Sequence, residues 1–439
     1  KYMKRFISII ALLLAGFVTV SAQEVVSENS LTPRARIVPY NTSVLAQTNG
    51  SVAVKSQYLR TVKEWTRTEE ADAVVFSSQF TVPFSWLNRI SMVYVNGASG
   101  AYEVLVNGKK LGYTSNAFSP AEFDATKATK QDMNTIQIRV LKNHWSRRLD
   151  SFIADDEPKV GEVYVMSQPS IYVRDVVHNT RVDVPLKQVN VELGFVVKTE
   201  SLNAKRARIH YEIVAPDTTM VTYGHQDVML DMKREDTVKV ATKIPFENTW
   251  SAESPTRYRV NLKTQIEGRY VEYQTHLIGF RDVSYEDGAL YVNGAKCELK
   301  YKDMDARTAT DKDIAIARES KYNAVRFLNS AVPNELYRAC DSLGMYVAVQ
   351  IPINTRNSGV SRQVGGNESN DPAWGEAYLQ RTKNAYYTTR NYTCVVAYQL
   401  ANESSNGINL YDSYLLLKSL ESKRPVLYTD GGGEWNSDR

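Results

Sequence analysis

Asn402 and Glu403 directly follow the apolar run VVAYQL at 395–400, and that placement is the sharpest chemical feature of the sequence. A run of this kind reads as a buried strand, and in a barrel of parallel strands the side chains at the strand ends point into the active site. A carboxyl group there is placed for acid or base work, provided burial or a second carboxylate lets it hold a proton near neutral pH. The competing reading is local: Asn is a good N-cap and Glu suits a first turn, so the pair could simply start the next helix. Arg326 lies within a second short run, AVRFL, where a guanidinium can orient a carboxylate or hold a substrate oxygen through two hydrogen bonds. Its competing role is a structural pair with a carboxylate at the rim. The three cysteines, Cys297, Cys340 and Cys394, have no CxxC spacing, so buried free thiols are expected rather than a disulfide framework or zinc site.

Those residues need elements to hold them. At 439 residues the chain is too long for one core, which stops growing near roughly 250 to 300 residues. Its 27 tyrosines, with Thr and Val, lean toward β-structure. From about Ser51 to Gln168, short alternating runs (Ala73–Val82, Ile90–Val95, Ala101–Val106, Thr135–Leu141) are broken by Asn96-Gly97 and Asn107-Gly108, which are hairpin turn signals. From about Ser170 to Asp282 a second set follows: Gln188–Val197, Arg206–Val214, Thr237–Ile244, Tyr258–Gln265 and Tyr270–Gly279. Two β-sandwiches are the expectation, the second of immunoglobulin-like size.

After Leu290 the rhythm becomes strand and helix in alternation. Strands are expected at Ala289–Lys300, Ala324–Leu328, Met345–Ile351, Cys394–Leu400 and Pro425–Tyr428, with helices at Asp311–Lys321, Asn334–Leu343, Trp374–Arg390 and Asn409–Leu420. Such alternation predicts a parallel sheet and, continued, a (β/α) barrel, of which five strands are present. The fold class is therefore multidomain β plus α/β. Its expected parts are a jelly-roll sandwich over 50–169, an immunoglobulin-like sandwich over 170–283, and an incomplete barrel over 284–439.

The first residues read as a targeting segment. Lys4 and Arg5 precede an apolar stretch from Phe6 to Val20, and Ser21-Ala22 supplies small residues before Gln23, so a signal peptide over 1–22 and an exported, periplasmic or extracellular protein are expected. The stretch is short for a membrane span. A formal charge of +4, with acids and bases interspersed and no basic run, argues against a nucleic-acid partner.

Motifs in order now carry a resemblance. FTVPFSW (80–86), AYEVLVNGKKLGY (101–113), SPAEFD (119–124), NTWSAESPTRY (248–258), IGFRDV (278–283), LYVNGAKCEL (290–299), YNAVRF (322–327), LYRACDSLGMYV (336–347), VVAYQLANESSNG (395–407) and RPVLYTDGGG (424–433) resemble the family 2 glycoside hydrolases. That family includes large bacterial β-galactosidases, β-glucuronidases and β-mannosidases, and the likeness covers roughly Ala73 to Arg439.

The resemblance implies a retaining exo-β-glycosidase, β-galactosidase-like, that acts on a carbohydrate without a cofactor. It makes Glu403 the general acid/base and puts Asn402 beside the sugar 2-hydroxyl. It also makes Arg326 an active-site arginine, with Asn329, Asn116 and Trp435 as candidate substrate contacts. By themselves Tyr428 and Trp435 read rather as core, and Asn116 rather as an exposed turn residue. Retention needs a second carboxylate about 5 Å from the first, acting as nucleophile. The resemblance places it on a later strand, beyond Arg439, and Glu434 is too close in sequence to serve.

Departures are also plain. The stretch after the expected first strand, KYKDMDARTA (300–309), has no histidine, Asn329 replaces a family histidine, and IPINTRNSG (351–359) lacks the usual acidic and histidine ligands. No metal site is therefore expected, and Asp303 and Asp305 read as loop carboxylates. These changes keep a second reading open, a catalytically silent carbohydrate-binding relative. A homo-oligomer is compatible with the sequence. A purely structural β-sandwich adhesin does not explain the alternating strands and helices.

Overall fold

The structure is a computed structural model that describes residues 30–50, 56–153, 157–232, 234–328, 331–431, 434 and 436–438. The expected signal peptide over 1–22, Asn329 and Trp435 lie outside the described residues.

Two antiparallel sheets form the first sandwich. One runs Leu59–Val62, Val163–Gln168, Ile90–Asn96, Pro120–Asp124; the other runs Thr66–Glu69, Ala73–Val82, Asp132–Leu141, Tyr102–Val106, Lys109–Thr114. Alternation along each strand turns Val93, Val95, Phe123, Val104, Ile136 and Ile138 into one buried cluster between the sheets. The second sandwich packs a three-stranded sheet (Ile171–Asp183, Gln188–Thr199, Glu235–Pro245) on a four-stranded one (Met220–Leu230, Lys205–Val214, Tyr258–Ile266, Arg269–Ile278). Val191, Leu193, Phe195, Ile209, Tyr258 and Val260 fill it.

A small antiparallel sheet of Val283–Glu286, Ala289–Val292 and Ala295–Cys297 comes next. This corrects the expectation that residues 289–300 form the first barrel strand. Asn293 and Gly294 both take positive φ, 51° and 79°, and turn the chain back on itself. The first parallel strand is instead Tyr301–Asp305, inside the stretch read as a loop.

The parallel sheet has five strands in sequence order: β1 (Tyr301–Asp305), β2 (Ala324–Leu328), β3 (Tyr346–Gln350), β4 (Val395–Gln399) and β5 (Val426–Leu427). Helices α1 (Asp311–Glu319), α2 (Asn334–Leu343), α3 (Gly375–Thr389) and α4 (Ile408–Leu420) connect them. Every residue of β4 is buried, as a strand covered on both faces requires. Thr310 and Asp313 start α1 by a reciprocal capping box. Gly344 ends α2 in the left-handed conformation. Cys340 and Cys394 are buried free thiols, while Cys297 is only partly buried.

Polar side chains tie the units together. The Trp250 indole donates to the Asp341 carbonyl at 2.9 Å, joining the second sandwich to α2. Arg390 and Asn391 donate to the buried Asp175 carboxylate at 2.6 and 2.7 Å. From the N-terminal segment, Arg34 holds Glu122 through two bonds of 2.7 and 2.9 Å and also reaches Gln168 and the Arg174 carbonyl.

Candidate active site

At the C-terminal ends of the parallel strands the loops after β3, β4 and β5 meet around Glu403. The Asn402 N–H donates to the Ile353 carbonyl at 3.0 Å, and the Thr355 N–H donates to Ser404 Oγ at 3.0 Å, so the loops after β3 and β4 run locked together. The Glu403 N–H donates to Asp430 Oδ2 at 2.7 Å, which adds the loop after β5. Glu403 itself takes φ 47°, a left-handed conformation uncommon for a residue with a long side chain. Helix α4 begins at Ile408 with Gly407 as its cap, so Asn402 and Glu403 do not start that helix.

The Glu403 side chain is 50% exposed and turns back to the loop after β3. Asn354 Nδ2 donates to Oε2 at 3.0 Å, and Arg356 Nη1 donates to the same oxygen at 3.2 Å. The Asn354 side chain is fixed in turn, because its Oδ1 accepts the Arg356 N–H at 3.2 Å.

The first sandwich supplies the other half of that support. The Asn354 N–H donates to the Leu149 carbonyl at 2.8 Å and the Ser151 N–H donates to the Asn354 carbonyl at 3.0 Å, a parallel bridge between sandwich and barrel. Between those contacts Asp150, wholly buried, pairs with the buried Arg381 of α3, whose Nη2 lies 3.1 Å from Oδ2. Burial pushes the Asp150 carboxyl up while Arg381 pulls it back. Burial, then Arg381, lowers the nearby His144 to about 4.

Arg326 lies opposite Asp303 in the register of β1 and β2 and holds it bidentately, Nε–Oδ1 at 2.9 Å and Nη2–Oδ2 at 2.7 Å. Asp303 is thus a strand residue rather than a loop carboxylate, and Asp305 likewise holds Arg307. The hydrogen bond to Asp303 raises the Arg326 guanidinium pKa against the opposing effect of burial, and the Asp430 charge adds to the rise. Asp430 therefore influences both Arg326 and the Glu403 backbone.

Asn116 corrects another expectation: it is 2% exposed, not an exposed turn residue, and neither atom of its side-chain amide has a hydrogen-bond partner among the described residues. Its neighbour Ser115 offers its carbonyl to Arg381 Nη2 at 3.4 Å, so the segment packs at the seam between sandwich and barrel. Tyr428 is buried, and its hydroxyl donates to the Ser404 carbonyl at 2.5 Å. A cavity lined by Phe118, Phe152, Phe327, Val349, Asn354 and Asn402 adjoins these loops; Glu403 and Arg326 are not among its lining residues.

Sequence reasoning missed Asn354, Arg356 and Asp430 as partners of Glu403. Each follows a parallel strand as Glu403 does, but the contact between loops that brings them together has no local signature. A metal does not fit the loop after β3: the groups facing Glu403 there are an amide and a guanidinium, and a cation would meet the Arg356 charge. Among the described residues no three His, Cys, Asp or Glu side chains gather as a ligand set.

Comparison with known proteins agrees with this architecture. Family models match end to end: the glycosyl hydrolases family 2 sugar binding domain over residues 23–181, glycosyl hydrolases family 2 over 171–281, and the family 2 TIM barrel domain over 298–438. The chain is 26% identical to the β-galactosidase of Psychromonas ingrahamii over 82% of its own length, and 27% identical to that of Yersinia pestis (strain Angola) over 81%. It spans 36% of the length of each. Among solved structures, a family 2 member from Bacteroides cellulosilyticus shares 17% identity at a TM-score of 0.67, covering 81% of this chain and 49% of that one. The β-glucuronidase of Bacteroides uniformis shares 16% at 0.68, covering 92% and 52%. With two sandwiches and a parallel αβ sheet in family order, and family models spanning nearly all of it, the chain belongs to family 2 of the glycosyl hydrolases.

Proposed function

We propose that this chain carries the acid/base half of a retaining exo-β-glycosidase that removes terminal β-linked sugars, with β-galactosides the first substrates to try. Glu403 donates a proton to the departing glycosidic oxygen and later removes one from the attacking water. Asn402 steadies the sugar ring beside it. The reading takes the nucleophilic carboxylate from a later barrel strand. Arg326 is positioned to orient that group, with Asp303 fixing the direction of the guanidinium. An exported protein acting outside the cytoplasm is part of the same proposal.

The observation that supports it most directly is the place of Glu403 at the strand ends, on the loop after β4 and held by the loops after β3 and β5. One observation favours the non-catalytic reading: the Nε/Nη2 edge of the Arg326 guanidinium is already engaged by Asp303. The two separate on a panel of aryl β-glycosides offered to the full-length protein and to Glu403→Gln. The enzyme reading expects turnover that drops about 100-fold or more in the variant for poor leaving groups. Absence of turnover on every glycoside, with sugar binding retained, selects the binding protein.

A further inference from the structure

Both donors that reach the Glu403 side chain converge on one oxygen. Asn354 Nδ2 and Arg356 Nη1 bind Oε2 at 3.0 and 3.2 Å, while Oε1 has no hydrogen-bond partner among the described residues. The Asn354 amide orientation is fixed by its own Oδ1, which accepts from the Arg356 N–H, so the nitrogen is the atom that faces Glu403. The side chain of Asn354 is also held from behind, since the residue is 1% exposed and bridged to Leu149 and Ser151 of the sandwich.

A carboxylic acid carries its proton on one oxygen, and that oxygen becomes a donor. An O–H at Oε2 would set its hydrogen against two N–H groups already aimed there, whereas carboxyl oxygens that only accept are suited to such donors. We propose that Asn354 and Arg356 are positioning residues that confine the transferable proton of Glu403 to Oε1, so that proton delivery to substrate proceeds from that oxygen alone. The inference rests on Glu403 being the acid/base.

The step balances without further reagents. The Oε1–H bond breaks as the glycosidic oxygen takes the proton, and the sugar C1–O bond breaks with its electron pair leaving on that oxygen as an alcohol. The second carboxylate of the proposed mechanism bonds to C1. Glu403 is left ionised, with its new charge delocalised onto an Oε2 already met by a guanidinium and an amide.

Two measurements test this. In the full-length enzyme, Arg356→Gln and Asn354→Ala should lose at least about ten times more kcat/KM on phenyl and alkyl glycosides, which need the proton, than on dinitrophenyl glycosides, which do not. Arg356→Lys, which keeps a donor, should recover part of the difference. A uniform loss across the series, or none, overturns the inference while leaving Glu403 as the acid. Wild-type inactivity on every glycoside overturns the enzymatic reading instead. The second measurement needs no activity: neutron diffraction from the full-length protein, crystallised at acid pH in deuterated buffer, should place deuterium on Oε1. Deuterium on Oε2 overturns the proposal directly.

Discussion

Glu403 combines a strained backbone with the most chemically demanding side chain of the site. A left-handed φ costs a residue with a Cβ roughly 1 to 2 kcal/mol, and Asn bears it better than Glu. The ion pair that Glu403 forms with Arg356 is half-exposed at both ends, 50% and 51%, and such pairs return at most about 1 kcal/mol. Glu403→Asn should therefore leave the apparent melting temperature level or raised, although it removes the carboxyl group. A fall of several degrees in a thermal melt would show that the Oε2 contacts outweigh the strain. At this scale Glu403 stands out from its place after an apolar strand only together with the family motif around it, and Arg326 was legible together with the possibility of a rim carboxylate. It concealed Asn354 and Arg356. Neither follows an acidic or histidine motif, and their roles appear only when the loop after β3 is folded against the loop after β4. Asn116 was misjudged because a Ser-Asn-Ala segment looks like a surface turn, while burial at a domain seam has no local signature.

Helices and strands were far more legible than their partners. Helix α2 was expected over the same ten residues it occupies, because Leu336, Tyr337 and Cys340 make one buried face and Gly344 stops it. The first barrel strand was misplaced by about a dozen residues: LYVNGAK has the stronger apolar pattern, but its Asn-Gly turn folds it into a hairpin, leaving the polar YKDMD to open the parallel sheet. The end of α2 permits a sharp test. Gly344 has φ 75°, and a Cβ there would run into the Ala252 carbonyl in the segment that enters the barrel. Gly344→Ala should cost about 2 to 4 kcal/mol in urea unfolding, backbone strain and overpacking together. Gly344→Asn tolerates the φ yet meets the same carbonyl, so it should fare little better; full recovery by Asn would assign the whole effect to φ.

Across the whole molecule, the order of two sandwiches and an αβ sheet was readable because the period of the apolar pattern changes from two to helical after Leu290. The seams were not, since the residues they join lie 88 or more positions apart. One seam is titratable. Glu272 of the second sandwich is wholly buried near Arg89 and Arg34, and burial pushes its carboxyl up to about 7 against their opposing charges. The folded chain thus keeps a proton that the unfolded chain releases near the ordinary carboxylate value of about 4.3. Its contribution is fully present below that value and is lost as pH rises through 7. Melting temperatures of wild type and Glu272→Gln compared at pH 5 and pH 8 should therefore shift in favour of the variant at the higher pH. A difference independent of pH would mean that Glu272 does not change its protonation on unfolding.

The bridge from Leu149, Asp150 and Ser151 to Asn354 has a consequence for inheritance. A barrel transplanted onto a foreign sandwich would keep Glu403 but lose the clasp that holds its hydrogen-bonding neighbour in place. The first sandwich and the barrel are then expected to tolerate exchange only together, as a matched pair.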